Sequence, residues 1–362
     1  MATASPTRTP WWTWAAPLLA WIVLITHFIV GANRFVDVAS AVALIATVFA
    51  AVYHAEVVAH RVGEPFGTLV LAIAVTIIEV ALIVSVMIKG GPDKATLARD
   101  TVFAAVMIVC NGIIGLCLLA GGIRHYEQGF HVQGAGAALA VLAALTILSL
   151  VLPNFTTSSP GPMFNAPQLI FAGVISLVLY GSFVFVQTIR HRDYFLPIEP
   201  DQTEGHAPPS STRVAIRSFL FLLAALVVIV GIAKSLTPAL ERAIANFGAP
   251  KAVVGIVIAA LVLLPEGLAA FRAARVNRLQ TSVNLSLGSA LASIGLTIPA
   301  VAATSLVINK PLALGLDGKE EVLLALTLIL SVITFGTGRT TVLQGIVHLT
   351  VFAAFIFVAV VP

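Results

Sequence analysis

Charge is scarce in this chain of 362 residues: Lys, Arg, Asp and Glu make up 10%, while 59% of residues are hydrophobic. Soluble domains carry about 25% charge, so a chain this apolar has the lipid bilayer as its solvent. Cysteine is nearly absent. Cys110 and Cys117 stand seven positions apart on one expected helix, about 10 Å along its axis, and cannot pair without breaking it. No CxxC or Cys/His spacing suggests a resident metal. A phosphate loop is missing as well, which argues against ATP-driven pumping by this chain alone. The sequence also contains no HExxH, GxSxG or paired-aspartate motif, so intramembrane hydrolysis has no support. We expect no enzyme activity and no cofactor. The net charge of +4 does not signal nucleic acid, because the basic residues sit in short gaps between apolar runs and act as topology signals.

What the sequence does have is apolar runs, eleven of them. They fall near 11–30, 35–54, 66–88, 101–122, 134–152, 167–189, 215–235, 251–271, 283–308, 321–337 and 341–361. The first resembles a signal peptide, but its apolar stretch is too long and no small-x-small site follows, so it reads as a span. Trp11, Trp12 and Trp14 suit an interfacial aromatic anchor. One long polar stretch interrupts the pattern, RHRDYFLPIEPDQTEGHAPPSSTR, rich in Pro, Ser and charge. Such composition cannot bury a core and reads as a flexible connector. The expected organisation is therefore 1–62 for an extra helix and the first repeat helix, 63–189 for the rest of a first repeat, 190–214 for the connector, and 215–362 for a second repeat. With the amino terminus in the cytoplasm, eleven of the 20 Lys and Arg residues fall inside. The arginines of the connector put it on the cytoplasmic side too.

Two of the runs carry a buried acid. GTLVLAIAVTIIEVALIVSVM, from Gly67, holds Glu79 near its middle, and VVGIVIAALVLLPEGLAA, from Val253, holds Glu266 directly after Pro265. A carboxylate at mid-bilayer costs about 2.5–3.5 kcal/mol on insertion scales, so its usual role is functional. Because the two runs are the third and the eighth, five steps apart, they cross in opposite directions, as an inverted repeat requires. Their sequences are faintly alike when Glu79 is set against Glu266. Each is followed by a span rich in small residues, RDTVFAAVMIVCNGIIG and NLSLGSALASIGLTIPA.

Small residues let helices approach closely, and Ser, Thr and Asn then supply oxygens. Thr76 precedes Glu79 by one helical turn; Asn111, Ser289 and Ser293 lie on the small-residue spans. Together with Glu79, Glu266 and carbonyls freed by Pro265 they make an all-oxygen site, the chemistry of hard cations such as Ca²⁺. Burial penalises a charged carboxylate, so protons compete with a cation for the same groups. Glu79 and Glu266 are thus expected to hold either a cation or protons, with Thr76, Ser289, Ser293 and Asn111 as further ligands. Asp100, beside Arg99 at a span start, reads as a helix N-terminal charge. His27 and His348 read as packing residues inside apolar runs.

These residues carry a family resemblance. Over nearly its whole length the chain resembles the bacterial calcium/proton antiporters of the ChaA type, within the cation/calcium exchanger superfamily. The match is most specific at Glu266, Gly288-Ser289-Ala290 and Pro299, and FGTGRTTVLQGIVHLTVFAAF resembles this subgroup in particular. The superfamily's Gly-Asn pair ahead of each glutamate is replaced by Val75-Thr76 and Leu263-Leu264. The resemblance implies an all-α polytopic protein of about 11 transmembrane helices, an extra helix plus a 5 + 5 inverted repeat. It also implies a multi-pass protein of the bacterial plasma membrane that extrudes Ca²⁺, with Na⁺ and K⁺ as further substrates, in exchange for protons. Its partners would be inorganic cations, protons and lipid. A Na⁺/H⁺ antiporter with little Ca²⁺ activity is the alternative, and a cation channel a more distant one.

Overall fold

The structure, a computed structural model, describes residues 10–63, 66–89, 95–197, 211–246, 250 and 252–361. Among these residues the chain is all-α. Its helices in order are α1 (Trp12–Val30), α2 (Arg34–Val62), α3 (Phe66–Lys89), α4 (Leu97–His125), α5 (Val132–Phe155), α6 (Ala166–Arg190), α7 (Thr212–Asn246), α8 (Ala252–Arg275), α9 (Leu279–Ile308), α10 (Gly318–Phe335) and α11 (Val342–Val360). Nine are long and apolar enough to span a bilayer. The other two are α3, whose described apolar stretch is Ile73–Ser85, and α10, which opens on Lys319, Glu320 and Glu321. Setting α1 aside, α2–α6 and α7–α11 are two runs of five, and equivalent helices cross in opposite senses. This is the inverted-repeat architecture expected from the sequence.

The ends of the helices follow local chemistry. Asn33 caps α2, its Oδ1 accepting from the amides of Phe35 and Val36 at 3.1 and 3.0 Å. Losing an N-cap side chain typically costs about 1 kcal/mol, so Asn33→Ala should lower the unfolding temperature of the detergent-solubilised protein by a few degrees. An unchanged transition would show that the cap contributes nothing. Capping boxes open α6 (Asn165 with Gln168), α10 (Asp317 with Glu320) and α11 (Thr341 with Gln344). Two helices outrun their apolar stretches. α2 continues to Val62, where Gly63 at φ +76° ends it, and α7 continues through Pro238 to Asn246. Hydropathy marks where a helix leaves lipid, whereas capping marks where it stops. The expected connector, 190–214, falls mostly outside the described residues; those described include a short 3₁₀ turn at Arg192–Phe195.

The chain divides into two compact units, residues 1–78 with 208–239, and residues 79–207 with 240–362. In the first, α1 lies along α2 and α7. His54 of α2 meets the Thr13 carbonyl through Nε2 at 3.0 Å and stacks on Phe221. Trp12 meets Tyr53 edge-on.

In the second unit, α4 is the core helix. Its residues from Leu97 to Gly112 are almost all buried, and α8, α9 and α11 pack around it. Glycines set the closeness of these contacts. A Cβ on Gly345 of α11 would fall 2.5 Å from the Leu119 amide nitrogen of α4, and one on Gly122 would fall 2.6 Å from that of Val342. A two-residue antiparallel pair, Gln128–Gly129 with Arg339–Thr340, joins the segments that follow α4 and precede α11. Cys110 and Cys117 are both free and buried. Three helices contain π turns: α4 at Ile108–Ile113, α5 at Ile147–Val151 and α6 at Val186–Arg190.

Candidate functional site

Glu79, at the middle of α3, is 2% exposed. Its carboxylate is held from across the unit by Ser293 of α9, whose hydroxyl lies 2.7 Å from each carboxylate oxygen. Close approach on another side of α9 comes from a small residue. Gly295 sits so close to α6 that a Cβ there would be 2.7 Å from the Tyr180 Cβ. Thr297, one turn beyond Ser293 and fully buried, faces the same carboxylate, although its Oγ1 forms no hydrogen bond of good geometry.

The Ser293 hydroxyl has one proton and two lone pairs. It can donate to an ionised carboxylate, accept from a protonated one, or turn a lone pair to a cation. A Ser–Glu contact in the bilayer interior therefore serves all three loadings without moving the backbone.

Glu266 lies on α8, directly after Pro265, with both carboxylate oxygens shielded from the surface. The next residue, Gly267, abuts the π turn of α4; a Cβ there would be 3.0 Å from Ile113 Cδ1. Asn111 lies within that π turn. It stands fourteen residues into α4, as Ser293 stands fourteen residues into α9. The two thus stand at comparable depths in the third helix of each run of five.

Asn111 is fully buried, and both ends of its amide are engaged. Nδ2 donates to Thr327 Oγ1 of α10 at 2.8 Å, and Oδ1 meets His348 Nδ1 of α11 at 3.2 Å. Because Oδ1 can only accept, His348 carries its proton on Nδ1. Its Nε2 must then accept from the Thr334 hydroxyl, 3.0 Å away.

Of the other residues singled out in the sequence, Thr76 is buried on α3 and its hydroxyl makes no hydrogen bond. Ser289 is half-buried on α9 beside Gly288, where a Cβ would meet open space. Asp100 is occupied: Arg99 Nε donates to it at 2.8 Å and Thr96 at 3.0 Å. The structure brings Glu79 together with Ser293, and Asn111 together with Thr327 and His348. Thr297, Thr327, Thr334 and His348 were not among the expected site residues. Thr297 had a signal, a hydroxyl four residues after Ser293 on the same helix face. The partners of Asn111 had none, being more than 200 residues away. Among the described residues no three His, Cys, Asp or Glu side chains come together as a metal-holding group, so any cation held here would rely on hydroxyl, amide and carbonyl oxygens beside the acids.

These features define a multi-pass membrane protein of inverted-repeat architecture with an acid, its carboxylate oxygens shielded, on each of two equivalent helices. The chain belongs to the sodium/calcium exchanger protein family, whose profile matches residues 16–189 and 217–361. It is 49% identical over 359 residues to a Sinorhizobium fredii protein named as an ionic transporter, y4hA, covering 98% of this chain and 97% of that one. It is 35% identical over 349 residues to the sodium-potassium/proton antiporter ChaA of Escherichia coli K12, covering 94% and 93%. Its fold matches the crystal structure of the Ca²⁺/H⁺ antiporter protein YfkE with a TM-score of 0.71 over 97% of this chain and 98% of that one, at 17% identity.

Proposed function

We propose that this chain is a secondary antiporter of the bacterial plasma membrane, with its amino terminus and connector in the cytoplasm. In this reading it exchanges Ca²⁺, Na⁺ or K⁺ for protons at one site built around Glu79 and Glu266. The observation that carries the proposal is the Glu79–Ser293 contact, a desolvated acid held by a hydroxyl that suits its charged, protonated and cation-bound forms alike. Repeat symmetry supplies the second half, with Glu266 next to the π turn that bears Asn111. A buried negative charge must be neutralised, by a proton or by a cation. Loading with one releases the other, and a rearrangement that exposes the site alternately to each side turns that competition into exchange. Thr76, Ser289 and Asn111 are the further oxygen donors in this reading, and no resident cofactor takes part.

The cargo is favoured in a particular order. The relative at 35% identity is named for sodium, potassium and protons, which weights the reading toward monovalent cations; the relatives named for calcium stand at 24% identity or below. Proteoliposomes with a pH dye inside provide the test. Pulses of NaCl, KCl and CaCl₂ applied outside should each raise internal pH if they draw protons out, and the ranking of rates gives the preference. A cation current with no pH change would identify a channel and overturn the proposal.

A further inference from the structure

The buried polar cluster formed by Asn111, Thr327, Thr334 and His348 lies outside the Glu79–Ser293 contact, and the exchange reading does not by itself explain it. Four helix-borne polar side chains, none more than 5% exposed, meet among apolar neighbours on α4, α10 and α11. Each polar contact has a single direction. Thr334 donates to His348 Nε2, His348 Nδ1 donates to Asn111 Oδ1, Asn111 Nδ2 donates to Thr327 Oγ1, and Thr327 donates to the Leu323 carbonyl at 2.7 Å. The chain of bonds ends on a backbone acceptor, and turning any one of the four side chains breaks at least one buried hydrogen bond.

The cluster converges on the amide of Asn111. That amide sits in the π turn against which Gly267, the neighbour of Glu266, is packed. A carbonyl oxygen has two lone pairs; His348 takes one from Oδ1 and leaves the other, with the amide plane fixed at both ends.

We infer that His348 is a positioning residue for cation binding: through its Nδ1 bond it fixes the Asn111 amide so that the remaining lone pair of Oδ1 is presented to the ion held at Glu266. This rests on the exchange reading above and names the side chain that orients one of its ligands. Partners that orient ligands in this way commonly change metal affinity by about 10–100-fold when removed.

The test uses two near-isosteres, each of which keeps one half of the imidazole. Asn places an amide nitrogen where Nδ1 lies and so retains the bond to Asn111. Gln places its amide where Nε2 lies and retains only the bond to Thr334. In proteoliposomes, His348→Asn should keep half-saturating Na⁺ and Ca²⁺ concentrations within about threefold of the parent, while His348→Gln raises them about tenfold at similar maximal rate. His348→Phe should behave as His348→Gln does.

A residue that served packing alone would change stability and maximal rate in both variants and leave their half-saturation equal. Equal half-saturation for His348→Asn and His348→Gln therefore overturns the inference, including where His348→Phe fails to reach the membrane. Glu266→Gln, assayed in parallel, separates the two levels of argument. If it retains full exchange, the exchange reading itself is wrong. If it loses exchange while the two His348 variants match each other, only the role given to His348 falls.

Discussion

Glu79→Gln should abolish cation-driven proton movement while leaving the protein folded in the membrane. Gln has the shape of Glu and can still bond Ser293, accepting through its carbonyl or donating through its amide, so the contact that joins α3 to α9 survives. What disappears is the ability to change charge. A site that must be neutralised by a proton or a cation in turn no longer needs either, and neither is released when the other arrives. Because exchange depends on that change of charge, it should fall at least about 100-fold at sub-saturating cation, equivalent to about 2.7 kcal/mol. Proteoliposomes with an internal pH dye report the rate, and size-exclusion profiles in detergent report folding. Exchange at the parental rate from a well-folded Glu79→Gln protein would end the case for this carboxylate. Ser293→Ala is a milder probe. It removes one hydroxyl, leaves the acid, and should weaken cation binding by a few fold without stopping exchange.

The second large effect concerns assembly rather than transport. Gly345→Val should prevent the protein from reaching a folded state. The added Cβ would lie 2.5 Å from the Leu119 amide nitrogen and 2.8 Å from its Cα. Both obstacles are backbone, so no rotamer change relieves the overlap, and α4 and α11 must separate along their crossing. Overpacking of this kind costs about 1–3 kcal/mol in soluble cores. Here the same crossing passes Gly115 and Gly122, whose own Cβ positions are blocked from the α11 side, so the strain spreads over three contacts. Membranes bind helices to one another through such close approach. Fluorescence-detected size exclusion should show loss of the monodisperse peak; a normal peak with normal exchange would show that the helices have room to part.

Much of the architecture was legible because lipid leaves few choices. Runs of about 20 apolar residues mark spans, and an acid in the middle of two of them marks Glu79 and Glu266 whatever the rest of the chain does. The extension of α2 to Val62 was less visible, since the polar residues after His54 form helix as readily as loop and only Gly63 supplies a stop. The π turns had no signature at all: Ile108–Ile113 reads as an ordinary stretch of helix. At the site, Ser293 could be named from its small-residue span. That it is the residue bonded to Glu79, 214 positions away, is a fact of packing that no local spacing encodes. His348 illustrates the same limit from the other side. A lone imidazole in an apolar run looks like packing, and only Asn111 and Thr334 on either side of its ring show that both nitrogens are used.

Among the described residues, all three π turns lie on α4, α5 and α6, in the earlier half of the chain. The one in α4 has helix on both sides and rotates Ile114–His125 out of step with the part before it, whereas the other two close the ends of α5 and α6. In the proposed exchange, halves that were true copies could swap shapes to give inward-open and outward-open forms of equal free energy, and an unloaded exchanger would idle equally in both. The turn within α4 would break that degeneracy, so an exchanger of this design would have a built-in resting side, chosen by its backbone before any ion arrives.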